Sequence, residues 1–163
     1  MLAKVMTEMV HYFQTDLRRI NHALKVLSFT QMIVAEQGLD ENTSQIIGFT
    51  AVLHDIGIKE AERKFNSSAG PYQEQEGPPI AKDILKRLNI PEDIIHRVCY
   101  IIGNHHTYSK VDGIDFQIIV EADFLVNIFE DEMGREAVES IRDRVFKTEI
   151  GKQLLEGMYL SKS

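Results

Sequence analysis

The sequence predicts an all-α protein that folds as one domain. Apolar residues recur at three- and four-residue steps along most of the chain, which is the period of one helix face. No stretch alternates apolar and polar residues well enough to predict a strand. A length of 163 residues, with 44% hydrophobic and 26% charged, suits a single globular domain. We therefore expect one compact helical bundle over residues 1–163, with its core at 16–130 and C-terminal helices at 135–160 packed on it.

The first long helix is predicted to begin after Thr15 or Asp16, because either side chain can cap a helix N-terminus. Its apolar positions recur at helical spacing, and His22 lies among them. These positions are Leu17, Ile20, Leu24, Leu27 and Val34.

A central buried helix is predicted next. After a turn at residues 38–42, residues 46–53 are apolar on all sides. This helix runs into the adjacent pair His54 and Asp55, and we expect it to stop near Gly57.

A long loop is predicted from Lys64 to Pro79. This stretch collects Asn, Ser and Gly together with three of the four prolines of the chain. Long loops near a reactive site are often lids, so this one is a candidate to shape substrate choice. A short helix is expected from about Ile80 to Leu88.

Three more helices complete the prediction. Pro91, followed by two acidic residues, matches the usual start of a helix, and this helix is expected to end at His105 and His106. The last two are expected at about 114–129 and from 136 to near the C-terminus, with a break around Gly151.

The charge and composition exclude some classes of function. The formal net charge is −7, so we expect no general binding of nucleic acid or of anionic membrane lipid. The negative net charge is still compatible with a small phosphorylated substrate such as a nucleotide. A bound cation and a few basic side chains can make the electrostatic potential inside one cleft positive.

The single cysteine and the N-terminus bear on location. Cys99 lies in an apolar run and has no internal partner for a disulfide, which suits a reducing compartment. Residues 1–8 lack a signal-peptide core, and no run approaches the roughly 18 apolar residues of a membrane span. We expect a cytoplasmic protein.

The pair His54 and Asp55 is the strongest local indication of chemistry. A buried helix ends there in two residues of the types that bind metals, where a frayed helix end can aim both at one ion. Alternatively, Asp55 accepts a hydrogen bond in the turn and His54 interacts favourably with the helix dipole. The pair alone does not decide between these readings.

Other helices carry residues of the same kind. Asp123 lies in or beside an apolar stripe, and a buried aspartate needs a partner. His105 continues the apolar stripe of its helix with His106 beside it, and His22 lies among apolar positions. One such histidine is more often an ordinary core residue. Several from separate helices, with two aspartates, have a common explanation in a shared divalent ion.

In these residues the sequence resembles the HD-domain superfamily of metal-dependent phosphohydrolases, over roughly residues 18–129. Residues 18–26, RRINHALKV, resemble the segment that supplies the family's first histidine. Residues 51–57, AVLHDIG, resemble the signature that names the family, and residues 121–125, EADFL, resemble the helix with its last aspartate. The resemblance implies a small HD-domain helical bundle that stands alone. It also implies one metal ion held by His22, His54, Asp55 and Asp123.

Members with two metals have a further histidine and a later His-His pair, with the signature aspartate bridging the ions. Here His105 and His106 resemble that pair, whereas Glu76 lies where the further histidine would fall. Glu76 is either an oxygen ligand of a second metal or an exposed acid that leaves one metal. We favour two ions. The Gly-Tyr-Pro tripeptide of the cyclic-dinucleotide phosphodiesterases is absent, so the sequence does not support that substrate.

The resemblance implies hydrolysis of a phosphomonoester or phosphodiester by a metal-activated hydroxide that Asp55 positions. Lys59 and either Arg18 or Arg19 are candidates to bind the phosphate, or else are solvated surface charges. Weaker candidates for substrate contact are Asn66, Tyr72 and Asn104.

The sequence leaves the ion and two other functions open. The divalent ions considered are Mn, Fe, Co, Mg, Ni and Zn, one or two per chain. Some relatives hold two irons and act as oxygenases, and a degenerate HD module can be a non-catalytic sensor or partner-binding domain. A homodimer is also compatible with the sequence.

Overall fold

A computed structural model describes residues 1–161, and every regular element in that part of the chain is a helix. The all-α prediction is therefore confirmed. The α-helices are α1 (Leu2–Phe13), α2 (Leu17–Ala35), α3 (Glu41–Leu53), α4 (Ile58–Phe65), α5 (Gly70–Arg87), α6 (Glu92–Ile102), α7 (Ile114–Glu130), α8 (Arg135–Arg144) and α9 (Glu149–Leu155). A 3₁₀ turn covers Tyr108–Lys110, and a π-helical turn covers Glu156–Leu160.

Helix α3 lies at the centre of the bundle, as its apolar sequence predicts. It packs against α2, α6 and α7, and its residues Phe49, Val52 and Leu53 are buried. Helix α1, which the sequence reading did not include, covers α3 with Val5 and Met9. The end of α3 is thus enclosed, so the side chains that follow it lie inside the protein.

The observed caps explain where the first helices begin. The Asp16 carboxylate accepts a hydrogen bond from the Arg19 amide at 3.2 Å, which resolves the choice between Thr15 and Asp16. Asp40 caps α3 in the same way by accepting from the Thr43 amide at 3.0 Å. Helix α3 therefore begins earlier than its apolar stretch indicates.

The prediction of a long loop at residues 64–79 is wrong. Helix α4 ends at Phe65, Asn66 adopts a left-handed conformation, and α5 begins at Gly70. Two prolines, Pro78 and Pro79, lie inside α5, although each removes one backbone hydrogen bond of a helix. Packing of α5 against α4 and α6 accounts for this, since tertiary contacts outweigh local propensity.

Gly57 is required for a reason other than the expected helix stop. Its φ is −75°, and α4 begins at the next residue. A Cβ atom at Gly57 would lie 2.5 Å from the Gly77 amide nitrogen and 2.6 Å from the Gln73 carbonyl oxygen. The glycine therefore allows the backbone after Asp55 to touch α5.

The ends of the later helices differ from the prediction in detail. Helix α6 ends at Ile102, so His105 and His106 lie in the turn after it. The C-terminal break lies between α8 and α9, whereas Gly151 is inside α9 against the Glu121 carboxylate. Helix α9 packs on α7 and α2. None of the described helices combines the length and apolarity that crossing a membrane requires.

Candidate metal centre

Three helices bring one group of metal-binding side chains together. His22 comes from α2, His54 follows α3, and Asp123 comes from α7. The His22 Nε2 atom lies 3.2 Å from His54 Nε2 and 3.1 Å from Asp123 Oδ1. His54 Nε2 lies 3.5 Å from the same Asp123 oxygen. We call these three residues the first group.

A second group consists of Asp55, His105 and His106. In each group, one ligand-type atom per residue lies within 4.8 Å of the others. Asp55 faces both groups, because its Oδ2 lies 3.5 Å from His22 Nε2 while its Oδ1 lies 3.4 Å from His105 Nε2. A carboxylate in this position can serve both groups at once.

Backbone carbonyls fix the orientation of two of the histidines. His54 Nδ1 donates to the Ala51 carbonyl at 2.9 Å, and His105 Nδ1 donates to the Ile102 carbonyl at 2.7 Å. Because a carbonyl only accepts, the proton of each neutral ring is on Nδ1. Both Nε2 atoms are then left with free lone pairs directed at the centre, as in metal-binding histidines.

The Glu130 side chain fixes the orientation of the His22 ring. Its Oε2 accepts from His22 Nδ1 at 3.0 Å, and its other oxygen pairs with Lys25. The sequence reading missed Glu130, although it lies seven residues after Asp123 on α7 and therefore on the same helix face. It also missed Asn127, whose Nδ2 donates to Asp123 Oδ1 at 2.9 Å.

The first group concentrates negative charge inside the protein. Burial lowers the pKa of His22, but the hydrogen bond to Asp123 and the charge of Asp55 outweigh it and raise this pKa to about 9. Burial opposes ionisation of Asp55 and Asp123, yet the neighbouring histidines hold the pKa of each carboxyl well below its usual range. The carboxylates that retain a proton on His22 would equally attract a cation.

The second group contains two histidines whose ring nitrogens could bind a metal ion. Burial, together with the charge of His105, lowers the pKa of His106 to about 4, so its ring is neutral at pH 7. The Nε2 atoms of His105 and His106 are both buried without a hydrogen-bond partner. Imidazole nitrogens and carboxylate oxygens are the ligands of divalent transition metals, so both groups fit such an ion.

Glu76 does not join the second group. Its Oε2 accepts from Lys64 Nζ at 2.5 Å, and its Oε1 accepts from Gln75 at 3.3 Å. Residues 64–79 are mostly helical rather than a free loop, and this helix directs Glu76 toward Lys64 on α4. The structure therefore corrects both expectations for Glu76, which is neither grouped with His105 and His106 nor exposed.

A cavity of about 350 Å³ opens onto the two groups. Arg18 lines it, is exposed, and has no ion-pair partner within residues 1–161. Arg19 also lines it but is held by Asp16 at 2.5 Å and by Glu62 at 2.6 Å. Of the two arginines, Arg18 is the better placed to meet an anionic substrate.

The structure does not bring Lys59 to the cavity. Helix α4 begins at Ile58 and directs Lys59 toward α1, where Nζ donates to the Tyr12 carbonyl at 3.1 Å and lies over the Tyr12 ring. The predicted contact between Lys59 and a phosphate is therefore not supported.

The three weaker candidates also lie elsewhere. Asn66 ends α4, Tyr72 stacks on Phe65, and Asn104 accepts from Lys110 at 2.7 Å. None of the three is among the residues that line the cavity.

A comparison with protein families bears on these groups. The family model described as HD domain matches residues 19–152, which include every member of both groups. No curated protein and no solved structure gives a significant match to the chain.

Proposed function

The chain belongs to the HD domain family, and on that premise we propose that it is a metal-dependent phosphohydrolase. The substrate would be a phosphomonoester or phosphodiester of a nucleotide or of another small phosphorylated metabolite. The observation that carries this proposal is the position of Asp55, whose two oxygens face two separate groups of metal-type ligands.

The charge of the cavity supports a requirement for metal. Five acidic side chains and two arginines line it, so the lining is negative even with His22 protonated and would repel a phosphate. Two divalent cations would reverse this sign. The acidic residues are Asp55, Glu62, Asp123, Glu130 and Asp131.

We assign the first ion to His22, His54, Asp55 and Asp123. A bound divalent ion would lower the pKa of water in the cavity and neutralise phosphoryl oxygens. The chain's own contribution is positioning: Glu130 and the Ala51 carbonyl hold the two imidazoles, and Asn127 holds the Asp123 carboxylate.

Asp55 and Arg18 have separate roles in the proposed reaction. Asp55, between the two groups, would hold the attacking water and orient it toward phosphorus, while a bound ion would lower the pKa of that water. Arg18 at the cavity wall supplies charge-assisted hydrogen bonds to the phosphoryl oxygens.

The test is turnover by protein loaded with Mn, Co, Mg or Fe on phosphomonoesters, phosphodiesters and nucleotides. Asp55→Asn keeps the shape of the side chain but removes its charge, so it should abolish turnover. Asp83→Asn is the matched control, since Asp83 is exposed on α5 and pairs with Arg87. Metal-replete protein without turnover, or full activity of Asp55→Asn, would contradict the proposal. Oxygen uptake by iron-loaded protein would instead support an oxygenase.

A further inference from the structure

Gln73 has a buried amide oxygen with no hydrogen-bond partner. The residue is 7% exposed on α5, and its Nε2 donates to the Ser68 carbonyl at 2.6 Å. Because that carbonyl only accepts, the amide nitrogen must face Ser68, and Oε1 is fixed at the opposite end. This oxygen is buried and unpaired, which is costly unless something else binds it.

Gln73 lies between the turn that carries Asp55 and the His-His pair. A Cβ atom at Gly57, two residues after Asp55, would lie 2.6 Å from the Gln73 carbonyl oxygen. Gly70 is three residues before Gln73 and shares its helix face, and a Cβ atom there would lie 2.9 Å from the His106 ring. Gln73, Asp55 and His106 all line the same cavity.

Two other unpaired buried atoms belong to this region. They are the Nε2 atoms of His105 and His106, neither of which has a hydrogen-bond partner. Asp55 Oδ1 lies 3.4 Å from His105 Nε2 and is an acceptor too. Acceptors gathered without a donor are the signature of a site for a cation.

Building on the proposed function, we infer that Gln73 Oε1 is a ligand of a second divalent cation, together with Asp55, His105 and His106. Gln73 lies one turn before Glu76 on α5, and it takes the role of ligand that the sequence suggested for Glu76. The ligands of the first ion include two carboxylates, whereas those of the second include one shared carboxylate and a neutral amide. The second ion should therefore bind more weakly and exchange more readily.

The test is titration of the metal-free chain with Mn²⁺, followed by calorimetry, elemental analysis and electron paramagnetic resonance. We expect two ions of unequal affinity, with the magnetic coupling between two Mn²⁺ ions that a shared carboxylate produces. Gln73→Leu should lower the affinity for the second ion by about 10- to 100-fold or more, since loss of a contact to a ligand already lowers metal affinity by about that factor. The first ion should bind as in the unmodified chain, which also verifies folding.

Two further variants make the test decisive. Gln73→Glu adds a charge at the same atom, so the second ion should bind about 10-fold more tightly. Glu76→Gln removes the partner of Lys64 and should leave both ions unchanged. The inference is overturned if Glu76→Gln releases the second ion, if Gln73→Leu leaves it bound, or if the unmodified chain binds one ion only.

These readouts are independent of turnover. A chain that binds two ions through Gln73 but hydrolyses no phosphate ester would refute the proposed function alone. A chain that turns over with one ion bound would refute this inference alone. A change in KM for Gln73→Leu with both ions retained would assign Gln73 to substrate binding instead.

Discussion

Glu130 determines which nitrogen of His22 faces the metal centre. Its carboxylate accepts from Nδ1, so Nε2 is the atom directed at Asp123 and His54. Outer-shell carboxylates of this kind orient an imidazole and raise its basicity. The role of Glu130 can therefore be tested without touching a ligand.

Glu130→Ala should weaken binding of the first ion by about 10- to 100-fold. The reason is that His22 loses the contact that fixes its ring. Competition with a chromophoric chelator measures the change, and Glu136→Ala, at an exposed position of α8, is the control. Equal affinities for the two variants would show that Glu130 does not position His22.

The ionisation of His22 predicts how ion binding depends on pH. In the metal-free protein the pKa of His22 is raised to about 9, because its contacts with Asp123 and Asp55 outweigh burial. Below pH 9 an ion must therefore displace a proton, so its affinity should rise about tenfold per pH unit for each proton released. Calorimetry at pH 7.5 in buffers of different ionisation enthalpy should detect this release. Binding heats independent of the buffer would refute it.

Arg18 is the residue that we expect to bind the substrate's phosphoryl group. Arg18→Gln should raise KM about 10- to 100-fold, since a charge-assisted hydrogen bond is lost, and should leave the number of bound ions unchanged. Arg63→Gln is the control, because Arg63 pairs with Glu60 on the exposed side of α4. An unchanged KM for Arg18→Gln would identify Arg18 as a surface charge.

The sequence predicted most of the candidate metal ligands, but it did not predict the residues that hold those ligands in place. His22 and Asp123 are recognisable because they interrupt apolar helix faces, and His105 because it follows the apolar stripe of α6. Glu130, Asn127 and Gln73 are polar residues of types that usually face solvent. Whether such a residue is buried depends on how the helices pack, which periodicity in one segment does not reveal.

At the scale of elements, the main error of the sequence reading concerned α5. Proline, glycine and serine between residues 64 and 79 do have low intrinsic helix propensity, which is why the sequence predicted a loop there. However, Pro71 lies in the first turn of α5, where proline is tolerated, and packing on α6 compensates for Pro78 and Pro79. Contacts between distant segments, such as the Cys99 thiol donating to the Pro78 carbonyl, are not encoded locally.

The crossing of α4 and α5 depends on Gly57. Gly57→Ala should destabilise the protein by about 1–3 kcal/mol, because the added Cβ would press on backbone atoms of α5 that have no flexible end to move. Urea denaturation measures the change. Gly157→Ala is the matched control, since no atom lies within 4 Å of its added Cβ. Equal stability of the two variants would show that α5 can shift away from the turn after Asp55.

At the scale of the whole molecule, the candidate metal centre connects four of the helices in the described part of the chain. Its candidate ligands come from α2, from the turns after α3 and α6, and from α7. Without ions, the neighbouring histidines alone balance the charges of Asp55 and Asp123 inside the protein. The net charge of −7 gives no hint of this, because it does not distinguish buried from exposed acids.

Removal of the ions should therefore lower the thermal stability of the entire fold. An ion present at 100 times its Kd stabilises the folded state by about 2.7 kcal/mol, which for a chain of this size corresponds to a Tm shift of about 5–11 °C. Scanning calorimetry with Mn²⁺ and with a chelator measures the difference. Asp123→Asn removes one ligand, so its Tm should respond much less to Mn²⁺, while its Tm in chelator should fall below that of the unmodified chain, because His22 loses the carboxylate that stabilises its charged form. If Mn²⁺ raised the Tm of both proteins equally, the stabilising ion would bind outside the first group, and the assignment of Asp123 as its ligand would be wrong.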